Sequence, residues 1–293
     1  ILNKMKLSLG TVQFGLDYGV SNTSGQVEIS EVEDILREAE CHNIDTLDTA
    51  AVYGSSENIL GKVGVNQFDI VTKLPPIPKN VNNIDLWVSG HVKSSLSRMC
   101  VNSVSGLLLH QSTDFLETPK RRLFDSLSRL KDDGVVKKIG VSIYNPDELD
   151  ALENYDMKMD IVQAPFNILD RRLEVSGWLD KLSQTGVELH SRSVFLQGLL
   201  LQEKNQRNPY FNKWSDYFNK FNEWINDTNQ TPLSATLNFS YSYEQINKVI
   251  VGVQNKSQLT EIITSISKSP QYSIPDELII DDPMLINPTN WKL

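Results

Sequence analysis

Cysteine is scarce in this chain. Cys41 and Cys100 are the only thiols in 293 residues. Two thiols cannot make a disulfide scaffold, and neither is spaced from His42, His91, His110 or His190 as a metal ligand would be. Both read as reduced thiols in helices. Long apolar runs are absent too; none approaches the ~20 residues that cross a bilayer, so no membrane partner is expected. Residues Ile1 to Lys6 lack the apolar core and small-residue cleavage site of a signal peptide, and the expected location is cytoplasmic. Positive charge is also in deficit: 28 Lys and Arg stand against 37 Asp and Glu, a formal net charge of −9. Such a surface repels a nucleic-acid backbone, yet it leaves room for a nucleotide in a locally positive pocket.

What the chain does contain is a repeated alternation. Short apolar runs occur at Leu7–Gly15, Ile44–Asp48, Phe68–Lys73, Val104–His110, Lys138–Ser142, Ile161–Ala164, Val187–Ser193 and Lys248–Gly252, and each reads as a strand. Between them lie segments of helical spacing. Glu31–Glu40 repeats Val32, Ile35, Leu36 and Ala39 behind a candidate N-cap at Ser30. Pro119–Lys131 sets Leu123, Phe124, Leu127 and Leu130 on one stripe after Thr118. Further helices are expected at Asn58–Val63, Asp85–Met99, Pro146–Leu152, Arg171–Gln184, Ser234–Tyr243 and Ser257–Ile266. Such repetition predicts an α/β fold, a single (β/α)8 TIM barrel spanning 1–293, with a long loop after strand seven and a C-terminal tail. The alternative, a doubly wound open sheet, lacks its G-x-G-x-x-G fingerprint here. In the long loop, 196–232, an aromatic stripe (Tyr210, Phe211, Trp214, Tyr217, Phe218, Phe221, Trp224) reads equally as a helix packed on the barrel and as a substrate lid. The tail after Lys268 is expected to wrap the outside.

Barrels of this kind place their chemistry at the C-terminal ends of the strands. Asp48 ends strand two, Lys73 strand three and His110 strand four, while Tyr53 lies five residues past Asp48. Neighbouring strands are about 4.8 Å apart, so these side chains should converge on one mouth. Each has a blander reading alone: Asp48 as a helix cap, Lys73 as a rim charge, His110 as a core histidine. Together they are harder to dismiss, because buried Asp, Lys and Tyr need one another as partners. An ammonium beside Tyr53 would lower its pKa from about 10, and a carboxylate would hold that ammonium in place. Tyr53 could then protonate a carbonyl oxygen as hydride reaches its carbon, with His110 orienting the same oxygen.

These motifs resemble those of the aldo-keto reductases, over nearly the whole chain from Leu9-Gly-Thr-Val-Gln-Phe-Gly15 to Val251-Gly-Val-Gln-Asn-Lys-Ser-Gln-Leu-Thr-Glu261. The stretch Ile44-Asp-Thr-Leu-Asp-Thr-Ala-Ala-Val-Tyr-Gly-Ser-Ser-Glu-Asn58 is similar to the family signature, Thr72-Lys73 to its lysine strand, and Leu107-Leu-Leu-His110 to its histidine strand. The resemblance implies catalytic roles for Asp48, Tyr53, Lys73 and His110 and a nicotinamide cofactor, NADPH or NADH. It implies that Ser142 and Gln163 hold the carboxamide, although Ile143 stands where the family has Asn. Arg192 replaces a tyrosine that stacks on the ring, a role open to a guanidinium plane. Ser193, Leu196 and Gly198 would line the pyrophosphate channel, with Gly252, Lys256, Gln258 and Glu261 around the adenosine. Family members selective for NADP carry Lys or Arg after strand eight; here only Lys256 is offered and Gln258 replaces an Arg, which weakens the NADPH default. The opening motif and Arg192-Ser-Val-Phe-Leu-Gln-Gly-Leu-Leu200 resemble a bacterial branch linked to sugar or surface-polysaccharide metabolism.

The expected partner is thus a small-molecule carbonyl, with no nucleic acid and no membrane, on a monomer or weak homo-oligomer. For substrate contacts, Tyr18 is the first candidate beside His110, with Pro75, Trp87 and the loop around Trp214 behind it. Two other readings stay open: a cofactor-binding regulatory module with little turnover, and a lyase or isomerase using Lys73 as a Schiff base.

Overall fold

Eight strands close on themselves in chain order: β1 (Leu7–Gly10), β2 (Thr46–Asp48), β3 (Asp69–Leu74), β4 (Val104–Leu109), β5 (Val136–Ser142), β6 (Ile161–Pro165), β7 (Glu188–Arg192) and β8 (Lys248–Gly252). All pairings are parallel and β8 returns to β1, giving a closed barrel. The computed structural model describes residues 5–117, 120–153, 158–266 and 272–293. Between the strands run α1 (Ile29–Cys41), α2 (Ser56–Val63), α3 (Ile84–Met99), α4 (Lys120–Asp132), α5 (Asp147–Glu153), α6 (Trp178–Gln184), α7 (Ser215–Asp227), α8 (Pro232–Ser242) and α9 (Lys256–Thr264). No helix among the described residues is long and apolar enough to cross a membrane.

The period-2 alternation of the strands sorts side chains into two compartments. Outward residues such as Leu7, Leu9, Leu47, Leu107, Leu109 and Leu189 join the helices in one large core. Inward residues make a small separate cluster, Val71, Leu108 and Ile161. Glycine is required where those three crowd. A Cβ on Gly106 would stand 2.9 Å from Ile161 Cδ1, and one on Gly140 only 2.0 Å from the Ile161 carbonyl oxygen. The apolar plug thereby lies below the C-terminal mouth, and the polar inward residues Asp48, Lys73, Ser142 and Gln163 sit above it, all at most 4% exposed.

Several local expectations shift. The first strand stops at Gly10 because Val12–Gly15 coils into a helical turn. The helix expected to start after Ser30 begins at Ile29, with Glu28 in the N-cap position, so Ser30 lies inside it. Arg171–Gln184 breaks at Gly177, whose φ of 81° suits glycine, leaving a turn at Arg172–Val175 and α6. Thr118 and Pro119 lie outside the described residues. Cys41 ends α1 and Cys100 caps the end of α3; both are free and exposed.

The long connection after β7 resolves into short 3-10 turns and α7, and its aromatic stripe is packed. Phe211, Trp214, Phe218, Phe221 and Trp224 are buried, largely against the tail. Trp214 Nε1 donates to Asp282 (2.9 Å), Trp224 Nε1 to the Ser273 carbonyl (3.0 Å), and the Tyr210 hydroxyl to the Met284 carbonyl (2.9 Å). Of the two readings weighed for this loop, the structure places the aromatics in the packed helix. Only its flanks, Gln197, Gly198 and Leu201 at one end and Thr231 and Pro232 at the other, reach the mouth of the barrel.

Candidate active site

A cavity of about 710 Å³ opens at the C-terminal end of the barrel, and Asp48, Tyr53, Lys73 and His110 line it together. Asp48 ends β2, in register with Gly10 of β1 and Val71 of β3. Lys73 projects inward from β3, two residues on from Val71, and is 1% exposed. Its Nζ donates to Asp48 Oδ2 at 2.7 Å and to the Thr49 carbonyl at 3.0 Å. The other carboxylate oxygen, Oδ1, accepts from Gln163 Nε2 at 2.7 Å. A buried ion pair is stable only when its remaining valences are met, and both oxygens are met here.

Tyr53 is delivered by the turn after β2, which is held from behind. Ser56 Oγ donates to Thr11 and meets Thr49, while the Tyr53 carbonyl lies against Gly15. Any side chain at residue 15 would collide with this turn: a Cβ there would be 1.8 Å from the Tyr53 carbonyl oxygen. Lys73 Nζ is 5.1 Å from the centroid of the Tyr53 ring, and His110 presents its ring edge-on to Tyr53 at 5.9 Å.

The electrostatics correct one expectation. Lys73 was expected to lower the Tyr53 pKa. Instead burial, followed by the negative charge of Asp48, raises it well above the ordinary range, and Arg192 only partly opposes this. The charge of Lys73 is already taken up by its pair with Asp48. Burial lowers the Lys73 pKa, and Asp48 opposes that shift. Burial, aided by Lys73 and Arg192, brings His110 down to about 4. At neutral pH the site therefore offers a protonated phenol and a neutral imidazole, an arrangement that suits an uncharged oxygen acceptor.

The other expected residues divide. Ser142, Gln163, Arg192, Ser193, Gly198, Gly252, Gln258, Glu261 and Tyr18 line the cavity. Leu196 is fully buried and is not among the lining residues. Lys256 also stands off it: its Nζ is 3.4 Å from Glu38 and its amide donates to Glu31. Gln258 folds back to accept from the Gln254 amide at 2.8 Å. Trp87 packs on His91 within α3, ring centroids 4.0 Å apart, and neither it nor Pro75 lines the cavity. Tyr18 accepts from Gln197 Nε2 at 3.0 Å, which ties the loop after β1 to the loop after β7.

Sequence reasoning passed over three residues. Tyr144 lines the cavity and stacks with Arg192, whose Cζ is 4.5 Å from the ring centroid. The signal was available: Gly140, Ser142 and Tyr144 keep the two-residue inward phase of β5. Gln13 also faces the cavity, with its Oε1 buried and unpartnered. Glu57, 2% exposed, accepts from Thr72 Oγ1 at 2.7 Å and from Arg98 Nε at 2.8 Å, clamping β3 beside Lys73.

The segment after β7 has the features of an anion cradle. Ser193, Leu196, Gln197 and Gly198 all have positive φ, from 48° to 88°. Among the described residues, no backbone carbonyl meets the amides of Val194, Phe195 and Gln197. Consecutive amides left open by such a turn form the concavity that binds phosphate groups. The same cavity takes in Gly252, Gln258 and Glu261 as well as Tyr53.

Comparison with known proteins agrees with this fold. Relatives include the oxidoreductase sirO of Leptosphaeria maculans, 26% identical over 214 residues, covering 70% of this chain and 64% of that protein. The NADH-specific methylglyoxal reductase of Escherichia coli is 27% identical over 216 residues, covering 67% and 65%. The chain thus spans somewhat under two thirds of the length of these relatives. Among solved structures, an aldo-keto reductase of Bacillus halodurans in its holo form superposes with a TM-score of 0.75 at 19% identity, covering 91% of this chain and 88% of that one. The glycerol dehydrogenase of Gluconobacter oxydans gives 0.68 at 19% identity, covering 94% and 89%; at such identities the likeness is one of fold. The sequence profile of the Aldo/keto reductase family matches residues 6–276, and the chain belongs to that family.

Proposed function

We propose that this chain is a nicotinamide-dependent carbonyl reductase in which Tyr53 is the general acid. The observation that carries the reading is the edge-on pairing of Tyr53 and His110 beside the Asp48–Lys73 ion pair, in one cavity with an open anion cradle. A bound nicotinamide would supply hydride to the carbonyl carbon. Ser142 and Gln163 would hold its carboxamide, the amides after Ser193 its pyrophosphate, and Gln258 and Glu261 its adenosine end. Tyr53 donates its proton to the carbonyl oxygen, leaving a phenolate that is reprotonated from solvent. His110, kept neutral, donates a second hydrogen bond to the same oxygen and orients it. Lys73 and Asp48 act through Tyr53: the ammonium lies 5.1 Å from the centroid of its ring and seats it, and the carboxylate holds the ammonium there.

NADH is accepted at least as well as NADPH. Lys256, the one cation expected near a 2′-phosphate, is engaged by Glu38, and Gln258 is turned back on Gln254. Charge-assisted contacts are what make phosphate selection strong. The name of the Escherichia coli relative, an NADH-specific reductase, supports the same choice. Tyr18, Tyr144 and His110, which line the cavity together, suit a short aldehyde or ketone, including sugar-type carbonyls. The relative named for methylglyoxal is in keeping with that size.

The test is oxidation of NADH and NADPH against a panel of short aldehydes, for the native chain and Tyr53→Phe. The substitution is expected to lower turnover by about 10²- to 10⁴-fold while dinucleotide affinity stays within a few-fold. Equal turnover by the variant would remove Tyr53 as the acid. Tight dinucleotide binding with no turnover of any carbonyl would favour a regulatory binding module.

A further inference from the structure

The charged side chains lining the cavity are Asp48, Lys73, Arg192 and Glu261. Asp48 and Lys73 neutralise each other at 2.7 Å. Glu261 lies on α9, beyond β8. Arg192 stands at the chemical end, and no carboxylate pairs with it among the described residues. It is held by other means. Nη2 donates to the Ile143 carbonyl at 2.8 Å, Nη1 approaches Ser193 Oγ at 3.3 Å, and one face lies on the Tyr144 ring at 4.5 Å. A carbonyl acceptor and an aromatic face fix the guanidinium without cancelling its charge. Arg192 lines the cavity together with Tyr144.

The chemistry fixes where a nicotinamide must lie relative to that charge. The substrate oxygen has to come within hydrogen-bond reach of Tyr53 and His110, and the hydride-bearing carbon about 3–3.5 Å from the carbonyl carbon. The positive charge of Arg192 acts on both Tyr53 and His110, opposing the rise at the first and aiding the fall at the second. The ring therefore sits within the same field. Only one redox form of the ring is charged: the oxidised ring carries +1 and the reduced ring is neutral.

We infer that Arg192 makes the site selective for redox state, holding the reduced dinucleotide and repelling the oxidised one. This rests on the proposed nicotinamide site and extends it. A residue at this position that stacked without a positive charge would not repel the oxidised ring. At an effective dielectric of ~20, an unneutralised unit charge roughly 6–10 Å away is worth about tenfold to a hundredfold between two forms that differ by one charge. The consequence is direction. The protein collects its reductant in the presence of the oxidised form, and it expels the oxidised form after each turnover.

The experiment is titration of the full chain with NADH and with NAD+ separately, at one ionic strength, followed by tryptophan fluorescence. The native protein is expected to bind NADH at least about tenfold tighter than NAD+. Arg192→Gln should compress that ratio about tenfold, mainly by tightening NAD+, and Arg192→Lys, which keeps the charge, should preserve it. A native ratio near one overturns the inference. So does an Arg192→Gln variant that weakens both forms equally, since the guanidinium would then serve the shared pyrophosphate. Should Arg192→Gln misfold, the native ratio and Arg192→Lys still decide, because loss of selectivity in the lysine variant also overturns the inference. A folded native protein that binds neither dinucleotide overturns both the inference and the reductase reading beneath it.

Discussion

Gln163 donates from Nε2 to Oδ1 of Asp48 at 2.7 Å, joining β6 to β2 across the barrel interior. The residue implied as a carboxamide ligand therefore also anchors the carboxylate that holds Lys73. Replacing it with Leu leaves Oδ1 buried and unpartnered, at a cost of about 1–3 kcal/mol. Replacing it with Glu places two carboxylates together, so that one must take up a proton and compete for Lys73. Gln163→Glu is expected to reduce kcat more than Gln163→Leu does and to shift the pH profile of kcat. Purely cofactor-side loss, with an unshifted profile and a raised dinucleotide Kd in both variants, would show that the Asp48 contact is incidental.

Gly15→Ala tests the packing behind Tyr53. The new methyl would stand 1.8 Å from the Tyr53 carbonyl oxygen and 2.4 Å from the Ser56 amide, so the turn has to move. A misplacement of about 1 Å can cost on the order of 10²-fold in rate. Turnover should fall by that order while the cavity residues beyond Gly252 still bind dinucleotide; unchanged kcat would show that the turn is freer than its contacts imply.

Glu57 is expected to be a stability residue rather than a chemical one. Its carboxylate is buried, with Arg98 on one side and Thr72 on the other. Glu57→Ala strands the half-buried Arg98 guanidinium and should cost about 3 kcal/mol by urea denaturation. The double variant with Arg98→Ala should lose less than the sum of the two single changes.

His110 supplies a pH dependence with a definite sign. Its folded pKa, about 4, lies below the ordinary 6.5. Between those values the unfolded chain holds the proton and the folded chain does not, so the stabilising term is full above about 6.5 and is lost as the pH falls towards 4. The loss is on the order of 1–3 kcal/mol. Urea unfolding at pH 7.5 and 4.5 should show a smaller pH difference for His110→Gln than for the native chain; equal differences would mean that His110 is solvated in the fold.

Much of this site was legible because barrel strands end in register. Asp48, Lys73 and His110 were visible as polar residues closing apolar runs, and the closed sheet brings them to one mouth. What was not legible lies in contacts across the barrel. Nothing local to Gln163 points to Asp48, 115 residues away. Nothing local to Lys256 reveals that Glu38 engages it. The sign of the Tyr53 shift depends on how the charge of Lys73 is shared, which only the Asp48 geometry settles. Tyr144 was readable from the phase of β5, but it lies beyond the apolar run that marked the strand.

The mutual packing of α7 and the tail has a consequence for synthesis. Trp214, Trp224 and Tyr210 find their hydrogen-bond partners at Asp282, Ser273 and Met284, about fifty to seventy residues later in the chain. On the ribosome the aromatic stripe emerges well before the segment that covers it, and at ~5–20 residues per second it waits several seconds bare. The last strand, β8, is made in that interval, so the barrel can close before its outer aromatic layer is sealed. The terminal residues thus act as a late cover, and a chain stalled before residue 272 would leave the stripe exposed as an adhesive surface for chaperones or for other nascent copies.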